Sequence, residues 1–261
     1  MISSDFRAEA RRKLTGKLGK AVCIVLAYFV IFFLIGFLEG LFPDSMKGIF
    51  TIITTIIEIP ISLGLIYVFL KLYKNEDVKA FDFLQFGFSN FGKSWGITFQ
   101  IILKMLVPVI LIIVSYVFII IGAVSTSISY ITYDLNGNFV LLTVIGFILF
   151  IISMIWAIPK SYYYQLAYLI AIENPEMSSK DVVEKSSQLM TGNRGKLFCL
   201  QFSFIGWALL ASFTFGIGFL CLIPYIQFAS IAFYKHVNGD NSDIEVKIEE
   251  NTSSDDNNPI K

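Results

Sequence analysis

Residues 197 to 234 read LFCLQFSFIGWALLASFTFGIGFLCLIPYIQFASIAFY, 38 consecutive positions without a charged side chain. One helix of that length would extend about 57 Å at about 1.5 Å per residue, against a hydrocarbon core of about 30 Å. The run therefore folds back on itself. Thr214-Phe215-Gly216-Ile217-Gly218 is the expected hairpin turn, because Gly216 and Gly218 tolerate the positive φ that ends a helix. The turn leaves two apolar segments, 197–214 and 218–235, each near the length of one crossing.

Four more charge-poor regions precede this run. The first lies between Lys20 and Glu39, the second covers 48–70 with Glu58 as its one charge, and the others are 105–133 and 135–159. A charge at the bilayer centre costs about 2.5–3.5 kcal/mol on insertion scales, so such regions mark spans. The expected fold class is all-α: a polytopic membrane helix bundle of six transmembrane helices, at about 21–42, 48–70, 98–124, 139–159, 197–214 and 218–235, with interfacial amphipathic helices between them. Composition agrees. The chain is 56% apolar and 15% charged with mean hydropathy +0.71, whereas an average soluble domain is roughly 45–50% apolar and about 25% charged. Lys plus Arg and Asp plus Glu both number 20, so there is no bulk basic excess and no nucleic-acid partner is expected.

Basic residues near span ends are retained on the cytoplasmic side. With six spans and both termini inside, 19 of the 20 basic residues fall on one face and only Lys47 lies outside. The expected location is thus the plasma membrane, multi-pass, with both termini cytoplasmic. The first apolar run is too long for a signal-peptide core and lacks a small-x-small cleavage site, so it reads as a retained anchor.

Three cytoplasmic stretches are amphipathic. In the basic segment 1–20, Phe6, Ala10, Leu14 and Leu18 recur every four residues among Arg and Lys, the pattern of a helix lying among anionic lipid headgroups. Phe81, Leu84, Phe88, Phe91 and Trp95 form a second stripe. A third helix starts at Ser178 with Asp181 in a capping-box-like pair and shows Val182, Val183, Ser186, Leu189 and Met190 on one face before Gly192. Pro159 is expected to turn the fourth span so that 162–172 runs along the interface. The tail 238–261 holds seven acids and two lysines with few apolar residues and is expected to be disordered and acidic.

The chemistry of a catalytic site is sparse. His236 is the one histidine and lies just past the last span, and Cys23, Cys199 and Cys221 fall within apolar spans without CxxC spacing. Residues 191–197 lack the spacing and hydroxyl of a phosphate loop. No catalytic residue, metal or cofactor is expected. Gly36 and Gly40 form a GxxxG pair that could bring helices close. The sharpest polar pattern is on the second span, where Thr51, Thr54, Thr55, Glu58 and Ser62 recur at i, i+3, i+4, i+7 and i+11. This intramembrane polar face should turn toward protein or water. Glu58 lies about 13 Å deep by helical rise, where a neutral carboxyl bonded to Thr54 or Thr55 is the structural reading and ion or solute passage the functional one.

The stretches Ser187-Gln-Leu-Met190-Thr-Gly192-Asn-Arg-Gly-Lys196-Leu-Phe, Phe202-Ser-Phe-Ile-Gly206-Trp207-Ala-Leu-Leu, Phe215-Gly-Ile-Gly218, Pro224-Tyr225 and Phe233-Tyr234 carry a family pattern. Over 155–235 the chain resembles the bacterial integral membrane proteins of domain-of-unknown-function family 975, with weaker agreement at Arg7 to Leu14 and at Pro60-Ile-Ser-Leu-Gly64. The resemblance implies no catalytic or binding residue, since the family has no established activity. The expected function is a non-enzymatic membrane module binding lipid, through anionic headgroups at the cytoplasmic face, or a membrane-protein partner. The alternative is a small-solute or ion transporter or channel using the Glu58 face.

Overall fold

The computed structural model describes residues 3–132 and 139–239. Among them every regular element is helical: α1 Ser3–Leu14, α2 Leu18–Gly40, α3 Asp44–Tyr73, α4 Asp82–Ser89, α5 Phe91–Lys104, α6 Leu106–Thr132 and α7 Phe139–Ser161. A 3-10 turn at Tyr162–Tyr164 leads to α8 Ala167–Glu173, α9 Ser179–Met190, α10 Arg194–Phe213 and α11 Phe219–Val237. Residues 133–138 and the acidic tail from residue 240 lie outside the described residues, and with the latter the expectation of a disordered tail.

Five stretches are helical, long and apolar enough to cross a membrane: Leu18–Gly40, Asp44–Tyr73, Leu106–Ser127, Phe139–Glu173 and Arg194–Phe213. The expected sixth span forms as α11, but that helix does not meet the same measure. Its apolar residues are diluted by Pro224, Gln227, Lys235 and His236, and much of it, including Phe228, Ala229, Ala232 and Phe233, is buried inside the protein. The third span begins later than expected. Lys104 ends α5, the Met105 amide closes a tight last turn on the carbonyls of Ile101 and Ile102, and the crossing helix starts at Leu106.

Burial divides the molecule into a hub and limbs. On α3, Pro60 and the residues after it are largely buried, with Val68, Phe69 and Tyr73 at 0–1% exposure, whereas Ile49, Ile52, Ile53 and Ile56 before it are exposed. Leu166, Ala167, Ile170, Val182, Val183 and Met190 complete the hub together with α11. The hub stands at the end of α3 that meets the start of α2, where Lys17 Nζ donates to the Leu72 carbonyl at 2.7 Å and Lys20 pairs with Asp77 at 2.7 Å. Apolar side chains on the limbs face outward, as they do where lipid is the solvent.

Two glycine crossings fix helix pairs closely enough that no Cβ fits. A Cβ on Gly64 would land on the Phe83 carbonyl oxygen, and one on Gly87 would land on the Pro60 carbonyl oxygen, so α3 and α4 meet backbone to backbone. On the α6–α7 hairpin Gly122 faces Thr143 and Gly146 faces Ile119 and Phe118. Gly36 and Gly40 have open space beside them and make no such seam.

The amphipathic segments pack inward more than their stripes imply. Of the expected stripe, Phe6, Ala10 and Leu14 are buried in protein, with Phe6 edge-on to Phe233 at a centroid distance of 5.4 Å, while Leu18 stays exposed. The physical reason is that α11 offers α1 an apolar face of its own. The stripe from Phe81 to Trp95 belongs to two helices, α4 and α5, broken at Asn90. Phe83 and Gly87 point inward there, while Phe81, Phe88 and Phe91 stay exposed. The segment after Pro159 becomes α8, which is buried in the hub instead of lying along the interface. The third stripe folds as read: the Asp181 amide donates to Ser178 Oγ at 3.2 Å, Val182, Val183, Ser186 and Met190 are buried, and Gly192 follows at φ +82°.

Candidate functional site

The polar face on α3 satisfies itself. Thr54 Oγ1 donates to the Phe50 carbonyl at 2.9 Å and Thr55 Oγ1 to the Thr51 carbonyl at 2.8 Å, each one turn back along the helix. Thr51 Oγ1 reaches the Lys47 carbonyl and Glu39 Oε1, both at 3.0 Å, and so ties the start of α3 to the end of α2. Neither Thr54 nor Thr55 turns its hydroxyl to Glu58, whose side chain is exposed. Across the helix pair, Tyr28 of α2 lies against Glu58 and Ser62. The five positions therefore share a face, but the hydrogen bond from Thr54 or Thr55 to a buried Glu58 does not form.

At the expected hairpin the two glycines do different work. Gly216 sits at φ +86° and Phe215 at φ +52°, so the chain reverses through two left-handed residues. Gly218 has ordinary helical geometry, φ −59°, and is required for space: a Cβ there would lie 2.8 Å from Ala211 Cα. Its amide accepts the turn's closure by donating to Thr214 Oγ1 at 2.8 Å.

This turn forms one end of a groove of about 630 Å³ between α1 with the start of α2 on one side and the α10–α11 hairpin on the other. Its walls come from residues far apart in sequence: Leu14 and Leu18, then Trp207, Leu210 and Ala211, then Leu222 and Tyr225. Trp207 and Leu210 are 55% and 60% exposed, so the groove is open along α10. Its base is firm. Phe204 meets Tyr225 edge-on at 5.1 Å, and Leu14, Ala211 and Leu222 are buried. Tyr225 also brings its hydroxyl to 3.4 Å from the Arg7 carbonyl, which fixes α1 alongside α11.

Among the described residues Arg11 is the one charged residue lining the groove, and no Asp or Glu lines it. Neighbouring cations are engaged elsewhere: Arg12 lies 3.8 Å from Glu9, Lys13 stands 5.4 Å over the Tyr73 ring, and Lys17 and Lys20 hold the inner ends of α2 and α3. Burial pushes the Lys17 ammonium below its ordinary pKa, and the nearby Lys13 charge adds to the effect. Among the described residues Arg11 makes no ion pair. One turn earlier on the same face, Arg7 Nε is buried without a hydrogen-bond partner among the described residues.

Sequence reading missed this groove. Arg7 and Arg11 share one side of α1 at i and i+4, and Trp207, Leu210 and Ala211 share a face of α10 at i, i+3 and i+4. Those spacings are visible in the sequence, but their meeting across the fold is not. Among the described residues no three His, Cys, Asp or Glu side chains come together in a metal-like group, and the His236 ring packs 5.4 Å from Phe6.

A family model described as "Protein of unknown function (DUF975)" matches residues 1–241. No curated protein and no solved structure matches the chain.

Proposed function

We propose that this chain, which belongs to the DUF975 family of proteins of unknown function, works as a non-enzymatic module of the plasma membrane that binds lipid. Its multi-pass membrane character rests on five apolar helices. The single observation supporting the binding role is the open groove against α1, because its walls are apolar side chains of a helix suited to lipid and its rim carries an unpaired guanidinium. A volume of about 630 Å³ falls within the roughly 300–1,000 Å³ of small-molecule sites.

The proposed orientation, with both termini cytoplasmic, takes α11 as a sixth crossing beside the five apolar helices and draws on the basic residues near the span ends. A transporter using the Glu58 face gains little from a stripe whose threonine hydroxyls bond their own helix. A phospholipid carrying a photoreactive acyl chain, incorporated in vesicles with the full chain, tests the reading. Adducts should concentrate on peptides containing Leu14 to Leu18 and Trp207 to Ala211, above those on the exposed α7 face around Ile151. Equal labelling of both regions would refute it.

A further inference from the structure

We infer that the groove between α1 and the α10–α11 hairpin selects an anionic phospholipid, placing one acyl chain against Leu18, Trp207 and Leu222 and the headgroup phosphate on the Arg11 guanidinium. The inference rests on the lipid-binding reading above and adds headgroup selectivity to it.

Three observations define the occupant. First, α10, which supplies Trp207 and Leu210, belongs to a helix apolar enough to cross a membrane, so the phase bathing this wall is lipid. A strand or irregular segment from another protein would bring unpaired backbone groups against a wall that has few partners for them. Second, Arg11 lies on the rim of the same groove with no acidic partner among the described residues, while Arg12 and Lys20 have theirs. A guanidinium next to apolar surface is stabilised by a phosphate that its planar fork can bind through two hydrogen bonds. Third, the absence of Asp and Glu from the lining among the described residues discriminates between headgroups. A zwitterionic lipid carries its own ammonium group, which would find no carboxylate in the groove and would be repelled by Arg11. A headgroup with net negative charge meets no such penalty.

Trp207 provides the reporter. Of the three tryptophans, Trp95 and Trp156 are replaced by Phe in the full chain, leaving Trp207 as the one fluorophore. The protein is reconstituted in vesicles where either phosphatidylglycerol or phosphatidylcholine carries brominated acyl chains, which quench tryptophan on contact. Relative affinity is read from quenching against the fraction of brominated lipid. Phosphatidylglycerol should be preferred about fivefold, the effect of roughly one cation on an anionic lipid.

Arg11→Gln should bring the ratio near one while both lipids still quench Trp207, which also reports that the groove is intact. Arg12→Gln should keep the preference, because that guanidinium faces Glu9. Loss of the preference in both variants would assign it to diffuse surface charge and overturn the inference. Equal quenching by both lipids in the parent protein would overturn headgroup selection and leave lipid binding standing. No quenching by either lipid would show a groove closed to acyl chains and remove both readings.

Discussion

The Tyr73 phenol donates a 2.7 Å hydrogen bond to Glu9 Oε1, joining the last turn of α3 to a residue of α1 that lies 64 positions earlier. The Tyr73 ring packs 5.5 Å from Phe228 of α11, with Lys13 and Lys235 placed 5.4 and 5.8 Å from its centroid. One side chain thereby joins α1, α3 and α11.

Tyr73→Phe keeps the ring contacts and removes only the hydroxyl. Glu9 is 9% exposed and would retain Arg12 at 3.8 Å as its neighbour. A buried bond to a charged group contributes about 1.5–3 kcal/mol, so the variant should melt at lower temperature in detergent by that amount of stability. Glu9→Gln retains an acceptor for the phenol and should lose less. Equal melting temperatures for Tyr73→Phe and the parent would show that the bond carries no stability.

Gly64→Ala and Gly87→Ala should each destabilise the protein by about 1–3 kcal/mol, since an added methyl forces α3 and α4 apart at the Phe83 and Pro60 carbonyls. Gly206→Ala is the matching control on α10, where the new methyl meets open space. It should raise stability by about 0.5–1 kcal/mol through reduced backbone freedom. Thermal denaturation of the three variants side by side distinguishes close packing from a general sensitivity to glycine loss.

At the hairpin, Phe215→Gly should stabilise the turn. Phe215 is fully exposed at φ +52°, and left-handed geometry costs a side-chain-bearing residue about 1–2 kcal/mol. Gly216→Leu should weaken the turn through its φ, while Gly218→Leu should do so through the approach of Ala211. Adding an Ala211→Gly change should rescue part of the loss in the second case and none in the first, as read by melting temperature.

Glu58→Gln should be folded and silent in flux assays on proteoliposomes. Since Thr54 and Thr55 bond their own backbone, Glu58→Leu should also be tolerated, and its removal of a charge from an exposed span surface should favour membrane insertion. A folded Gln variant that loses a flux present in the parent would move the transporter reading to first place.

Topology is open to single-cysteine labelling in a background free of Cys23, Cys199 and Cys221. A cysteine at position 136 should react with an impermeant reagent from outside, and one at position 181 only after the membrane is opened. The reverse pattern would invert the orientation.

Charge-free runs made the limbs legible because a single Glu or Lys is costly in hydrocarbon, and the cap at Ser178 and the stop at Gly192 depend on local backbone chemistry. Features set by tertiary partners were not legible in the same way. The periodicity of Phe81, Phe88 and Phe91 marks an apolar stripe, yet α3 approaches from the side of Phe83 and Gly87, where a small residue admits another backbone. Gly218 looked like a φ-driven turn residue, and only the position of Ala211 reveals a spatial requirement. The groove is the extreme case. Arg11 and Trp207 acquire a common role only after the first and last described helices have packed together.

That packing has a consequence for biosynthesis. Arg7 and Tyr225 are separated by 218 positions, so at roughly 5–20 residues per second α1 leaves the ribosome some 10–45 s before its partner exists. During that interval Phe6, Ala10 and Leu14 have no α11 to cover them, and the membrane surface is the apolar phase within reach. The contact between α1 and α11 is therefore among the last that the growing chain can make, after every helix between them has been synthesised.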